Sequence, residues 1–141
     1  RRRGLRTFNL EVLTPEHPFY EGPAVSLTVT TTDGQYTFLA GHAPIVMALT
    51  VGSIVIKTPE GETIEAFNSE GFMEFGHEIT SVYVQACERP EEIDQKRAEE
   101  ARRRAEERLR QKQSLSEYTQ SKMALARAMA RLSVSSKTRR R

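Results

Sequence analysis

The chain has almost no cysteine, no long apolar run and no recognisable catalytic motif, and each absence narrows what it can be. Cys87 is the single cysteine in 141 residues, so an intrachain disulfide is impossible and a cysteine-based metal site is not expected. It follows the alternating Val82, Val84 and Ala86 and reads as a small apolar residue near a strand end, with a reactive thiol as the alternative. A reducing, cytoplasmic setting is therefore expected. The longest apolar stretch, 43–51, is interrupted by Pro44 and Thr50 and is about half as long as a membrane-spanning helix requires. The N-terminus, Arg1-Arg2-Arg3-Gly4-Leu5-Arg6, is basic, but no apolar region of the signal-peptide kind follows it. HExxH, GxSxG and a Gly-rich phosphate loop do not occur. His17, His42 and His77 stand beside turns, far apart in sequence, and read as surface or loop-packing residues. Neither a catalytic site nor a metal site is expected.

What the chain does have is charge, unevenly placed. Residues 1–90 carry 6 Lys/Arg against 11 Asp/Glu, and residues 91–141 carry 15 against 8. The two halves present fields of opposite sign, which bears on partners and not on fold.

The acidic half alternates with period two. Phe8, Leu10 and Val12 alternate with polar residues, as do Val25, Leu27 and Val29, then Tyr36, Phe38 and Ala40, and later Val82, Val84 and Ala86. Turn chemistry separates these runs: Thr14-Pro15, Gly22-Pro23, Asp33-Gly34, Gly41-His42-Ala43-Pro44, Pro59-Glu60-Gly61 and Gly76-His77. Asp33-Gly34 is the strongest hairpin signal. About eight short strands in 90 residues predict an all-β sandwich or barrel.

At Pro90 the composition changes. Pro90 suits the first turn of a helix, and Glu91 and Glu92 favour its positive end. Between Glu91 and Lys112 good helix formers dominate. Ile93, Ala101, Ala105 and Leu109 are expected on one stripe, with Glu99–Arg103 and Glu106–Arg110 as i,i+4 pairs. Ser114 and Glu117 fit a capping box that starts a second helix. Tyr118, Leu125, Met129 and Leu132 are its expected apolar stripe, fading over 133–136. The short connection makes the helices antiparallel. Their thin, Ala-rich stripes bury little area, which barely offsets the cost of ordering them, so the arm is expected to be marginally stable and able to detach. The expected divisions are a β-sandwich over 5–89, a helical hairpin over 90–135, and disordered basic tails over 1–4 and 136–141.

In their order and spacing, several motifs resemble the epsilon subunit of the bacterial F-type ATP synthase. They are Val12-Leu13-Thr14-Pro15-Glu16, Asp33-Gly34, Gly41-His42-Ala43-Pro44, Ser69-Glu70-Gly71-Phe72-Met73-Glu74, Glu91-Glu92-Ile93-Asp94 and Ala126-Arg127-Ala128-Met129-Ala130-Arg131-Leu132. The resemblance covers 5–135. It implies a flattened sandwich of ten strands followed by a C-terminal helical hairpin, in a non-catalytic central-stalk subunit. Such a subunit binds the gamma subunit and the c-ring through the β-domain. Its extended hairpin reaches the alpha and beta subunits and inhibits ATP hydrolysis. The implied location is the cytoplasmic side of the bacterial cell membrane, peripheral to it, in service of hydrogen ion or other ion transport. The chain departs from the family where Gln35-Tyr36-Thr37-Phe38-Leu39-Ala40 stands in place of smaller residues and a Pro before the Gly-His. Asp33, Gln35 and His42 are the rotor-contact candidates.

The resemblance also implies a regulatory ligand, ATP, with no cofactor required. Ile93, Asp94, Arg97 and Ala98 match the family's Ile/Leu-Asp-x-x-Arg-Ala motif, and Arg127 and Arg131 match its paired arginines. At i and i+4 the two guanidinium groups share a helix face and suit phosphate. Asp94 and Glu88 are candidate acceptors for an adenine amino group. The plainer alternative makes Asp94 a helix-start residue and the arginines solvated. A rival from another class is an RNA-binding module with a basic helical arm. The acidic β-domain and the Glu interleaved with Arg weigh against it, so no nucleic acid partner is expected.

Overall fold

The structure, a computed structural model, describes residues 5–139, with side chains through 136. The chain divides between Arg89 and Pro90 into two compact units. The first contains ten strands among the described residues: β1 (Phe8–Leu13), β2 (Pro18–Ala24), β3 (Ser26–Thr31), β4 (Gly34–Leu39), β5 (Ile45–Leu49), β6 (Gly52–Lys57), β7 (Thr63–Asn68), β8 (Gly71–Phe75), β9 (Thr80–Val84) and β10 (Cys87–Glu88). They form two five-stranded sheets, ordered β2-β1-β9-β8-β5 and β10-β7-β6-β3-β4. The sandwich anticipated from the alternation is thus present, and it has ten strands.

The alternation dictates the core. Leu10, Val12, Met73, Phe75, Val82 and Val84 of one sheet meet Leu27, Val29, Phe38, Ile54, Ile56 and Ala66 of the other, all buried in one cluster with Cys87. Phe38 and Phe75 stack across the sheets at 5.6 Å. Pairing is antiparallel except between β1 and β9. The Asp33-Gly34 turn joins β3 to β4 as expected, with Gly34 at φ 112°, a conformation that disfavours a side chain.

One turn signal misleads. Gly22-Pro23 does not break the chain: β2 runs through both residues to Ala24. It is an edge strand, where a proline lacking its N–H is tolerated.

The second unit begins with a 3-10 turn at Pro90–Glu92, followed by α1 (Gln95–Leu109) and α2 (Leu115–Arg139). The α-helix therefore starts later than Pro90 suggests, because Asp94 caps it: its Oδ1 accepts the Arg97 amide at 3.0 Å. The expected ion pairs are also rearranged. Arg102 reaches both Glu99 and Glu106 (3.0 Å to the latter) and takes both carboxylates at once. At the other end, α2 does not fade at 133–136 but continues to Arg139. No Gly or Pro interrupts it, and Val134 and Ser135 are buried. Of the tails expected to be disordered, 1–4 and 140–141 lie outside the described residues.

Candidate functional site

Each residue of the nucleotide set has a definite place. Glu88 is on β10, in the sandwich unit. Ile93 and Ala98 are buried, and their side chains carry no polar atom to offer a ligand. Asp94 and Arg97 are exposed at the start of α1. The capping bond occupies Asp94 Oδ1, which satisfies the plainer reading of Asp94 while Oδ2 remains an acceptor. Arg127 and Arg131 are half-buried, one turn apart on the same face of α2. α2 packs against α1 and against the 3-10 turn. An antiparallel hairpin closing near residue 112 sets 127–131 of α2 level with 93–97. Asp94 and Arg97 thus stand on α1, and Arg127 and Arg131 on the stretch of α2 level with them along the hairpin.

The packing face of α2 differs from the expected stripe. Ser121, Ala128 and Ser135, seven residues apart, are buried, and on α1 Ala98 and Ala105 are buried at the same spacing. Small side chains at this repeat let the two backbones approach closely. The larger residues turn away: Leu115 is 81% exposed, Met129 54% and Tyr118 42%. Leu115, Tyr118, Lys122, Leu125, Met129 and Leu132 alternate by three and four along α2, the spacing of a helix-packing seam. In this conformation much of that seam is unused.

The rotor-contact candidates do not form one cluster. Asp33 is in the β3–β4 turn and Gln35 early in β4, both exposed. His42 lies in the 40–44 loop at the far end of β4, on the order of 20 Å away for a six-residue strand. Its Nδ1 lies 2.6 Å from the Ala43 carbonyl, which fixes the proton on that nitrogen. Its ring meets Phe38 edge-on at 4.8 Å. His42 therefore has the loop-packing role expected of it.

The sequence reading passed over Phe72 and Tyr83. Their rings lie 5.0 Å apart on the outer face of the β1-containing sheet, 50% and 38% exposed. The signal was available, since each breaks the in–out alternation by placing an aromatic at an outward position.

Known proteins give a consistent picture. Residues 7–90 match the family described as ATP synthase, Delta/Epsilon chain, beta-sandwich domain, and residues 91–136 match its long alpha-helix domain. The ATP synthase epsilon chain of Caldanaerobacter subterraneus subsp. tengcongensis is 47% identical over 133 residues, covering 94% of this chain and 96% of that one. That of Ruminiclostridium cellulolyticum is 46% identical over 135 residues, covering 96% and 100%. Among solved structures, a chain of the Euglena gracilis mitochondrial ATP synthase (OSCP/F1/c-ring) superposes with a TM-score of 0.77 at 21% identity, over 88% of this chain and 78% of that one. At that identity the likeness speaks for the fold.

Proposed function

Because the chain belongs to the epsilon-chain family of the F-type ATP synthase, a stalk component of that rotary enzyme, we propose that it docks on the gamma subunit and c-ring through its β-domain and restrains ATP hydrolysis through its helical arm. In this reading it acts at the cytoplasmic side of the membrane and performs no chemistry itself. The observation that carries the regulatory half is the double face of α2. A helix that buries Ser121, Ala128 and Ser135 while exposing Leu115, Tyr118 and Met129 has a second packing available. In the alternative state the arm extends, and its large apolar seam is buried against a helical neighbour toward the alpha and beta subunits. Residues 116–141, with seven Lys/Arg against one Asp/Glu, then face acidic surfaces.

ATP bound by Asp94, Arg97, Arg127 and Arg131 favours the folded arm. Folding gathers those groups, and a ligand shifts an equilibrium by its differential affinity. Removal of 90–141 tests the whole reading in the assembled enzyme. ATP hydrolysis is expected to rise while assembly persists; unchanged hydrolysis removes the regulatory role.

A further inference from the structure

Between the 40–44 loop and the 76–79 turn, at one end of the sandwich, lies a cleft of about 430 Å³, a size that suits a small ligand. One wall is aromatic: the Phe8 and Phe75 rings lie 5.1 Å apart, and the His42 ring lies 5.4 Å from Phe75. The rim is polar. Arg6, His42 and His77 line it together with one carboxylate, Glu78. Arg6 is exposed and has no carboxylate partner among the described residues. Gly41 gives its guanidinium room, since a Cβ there would stand 2.9 Å from Arg6 Nη2. Asn9 Nδ2 donates to the Glu78 carbonyl at 3.2 Å and ties the turn to β1. Thr80, at the start of β9, also lines the cleft. It is 1% exposed, and its Oγ1 has no hydrogen-bond partner among the described residues.

A buried hydroxyl left without a partner is uncommon and calls for an explanation. A guanidinium without a carboxylate, set beside an aromatic wall, suits the head of an organic anion. We propose that this cleft binds a small organic carboxylate that carries a second polar group. The carboxylate pairs with the Arg6 fork at the rim. The apolar body lies against Phe8, Phe75 and the His42 ring. The second polar group meets Thr80 Oγ1 at the floor and gives that hydroxyl its partner. Glu78 repels the anion, so charge alone does not fill the site. A ligand that also uses the wall and the floor is therefore preferred over a bare inorganic anion.

The test follows backbone amide shifts of the full chain by NMR during titration with 4-hydroxybenzoate, benzoate, 4-hydroxybenzyl alcohol and inorganic phosphate. It uses the isolated chain, so its outcome bears on the cleft alone and not on the stalk role. 4-Hydroxybenzoate is expected to shift the amides of 41–43 and 76–80 saturably. Benzoate, which lacks the second polar group, is expected to bind about threefold more weakly, and the neutral alcohol about tenfold more weakly. Arg6→Gln is expected to weaken 4-hydroxybenzoate about tenfold, and Glu78→Gln to tighten it. Both positions are exposed, so these variants fold. Thr80→Val is expected to erase the difference between 4-hydroxybenzoate and benzoate without lowering the thermal midpoint, because it removes a hydroxyl that bonds nothing in the free chain. Absence of saturable shifts in the parent overturns the site. Binding that Arg6→Gln leaves unchanged, or shifts that inorganic phosphate reproduces at equal concentration, overturns it as well.

Discussion

Ser114 and Glu117 cap each other at the start of α2. The Ser114 amide donates to Glu117 Oε1 at 3.1 Å, and the Glu117 amide donates to Ser114 Oγ at 3.1 Å. The pair fixes where α2 begins and therefore where the chain reverses between the helices. The Ser114 amide, and then its hydroxyl, hold the Glu117 carboxyl below its ordinary value of 4.5. A carboxylate whose folded pKa is depressed contributes stability above its unfolded pKa and loses it as pH falls through the folded value. Helicity of the arm is therefore expected to decline below about pH 4.5, and Glu117→Gln to remove that part of the pH dependence. Ser114→Ala is expected to cost about 1 kcal/mol at neutral pH, read by thermal unfolding followed by circular dichroism.

Gly71 makes a second, purely steric prediction. A Cβ at this position would stand 2.0 Å from the Tyr83 carbonyl oxygen and 2.8 Å from Val84 Cγ1. Since β8 and β9 pair through this residue, Gly71→Ala must push the strands apart. The expected loss is more than about 2 kcal/mol. Gly34→Ala meets no atom within 4 Å and bears only backbone strain at φ 112°, so it is expected to cost less, about 1 kcal/mol. Denaturant unfolding of the two variants compares them directly.

Local chemistry was legible in the sequence where one residue type answers one geometric need. Asp33-Gly34 forms its turn, the Ser114–Glu117 box forms both its bonds, and Cys87 joins the core beside a strand end. Nonlocal choices were not legible. Nothing in 8–13 announces that β1 pairs in parallel with β9, about seventy residues away. That Gly22-Pro23 lies on an edge strand is known only once the sheet order is. Arg102 has carboxylates at both i−3 and i+4, and its competition for Glu99 and Glu106 displaces the pairs that spacing suggested. On α2 the stripe of large residues outweighed Ser121, Ala128 and Ser135 in the reading, because hydrophobicity is not what sets how near two helices can come. For the nucleotide set, the motif names the residues, but a capping role for Asp94 explains the same aspartate.

Asp94 can be tested for both roles at once. Asparagine caps a helix as well as aspartate does, so Asp94→Asn is expected to leave the helicity of α1 unchanged. Asp94→Ala is expected to cost about 1 kcal/mol of arm stability. If the carboxylate also accepts the adenine amino group, Asp94→Asn weakens ATP binding about tenfold, the scale of one hydrogen bond to a charged group. Arg131→Ala is expected to weaken it by a similar factor. Calorimetric titration with ATP reads the affinities; equal binding by Asp94→Asn and the parent leaves capping as the sole role of Asp94.

The two faces of α2 predict that stability and inhibition separate. Ala128 is 2% exposed on the face that meets α1, where a larger side chain holds the helices apart. Ala128→Leu is therefore expected to loosen the hairpin by about 1–3 kcal/mol, seen as faster amide exchange along α1 and α2. Met129 and Tyr118 point away from that contact, and Met129→Ser or Tyr118→Ser is expected to change the stability of the isolated chain by less than about 0.5 kcal/mol. In the assembled enzyme the order reverses. If extension buries the outward seam, the Met129 and Tyr118 variants lose an apolar contact that exists only in the inhibited state, and hydrolysis rises. Ala128→Leu weakens only the folded state and so deepens inhibition. Stability and hydrolysis that instead move together across the three variants mean that α2 uses one face in both states, and the switch has no structural basis.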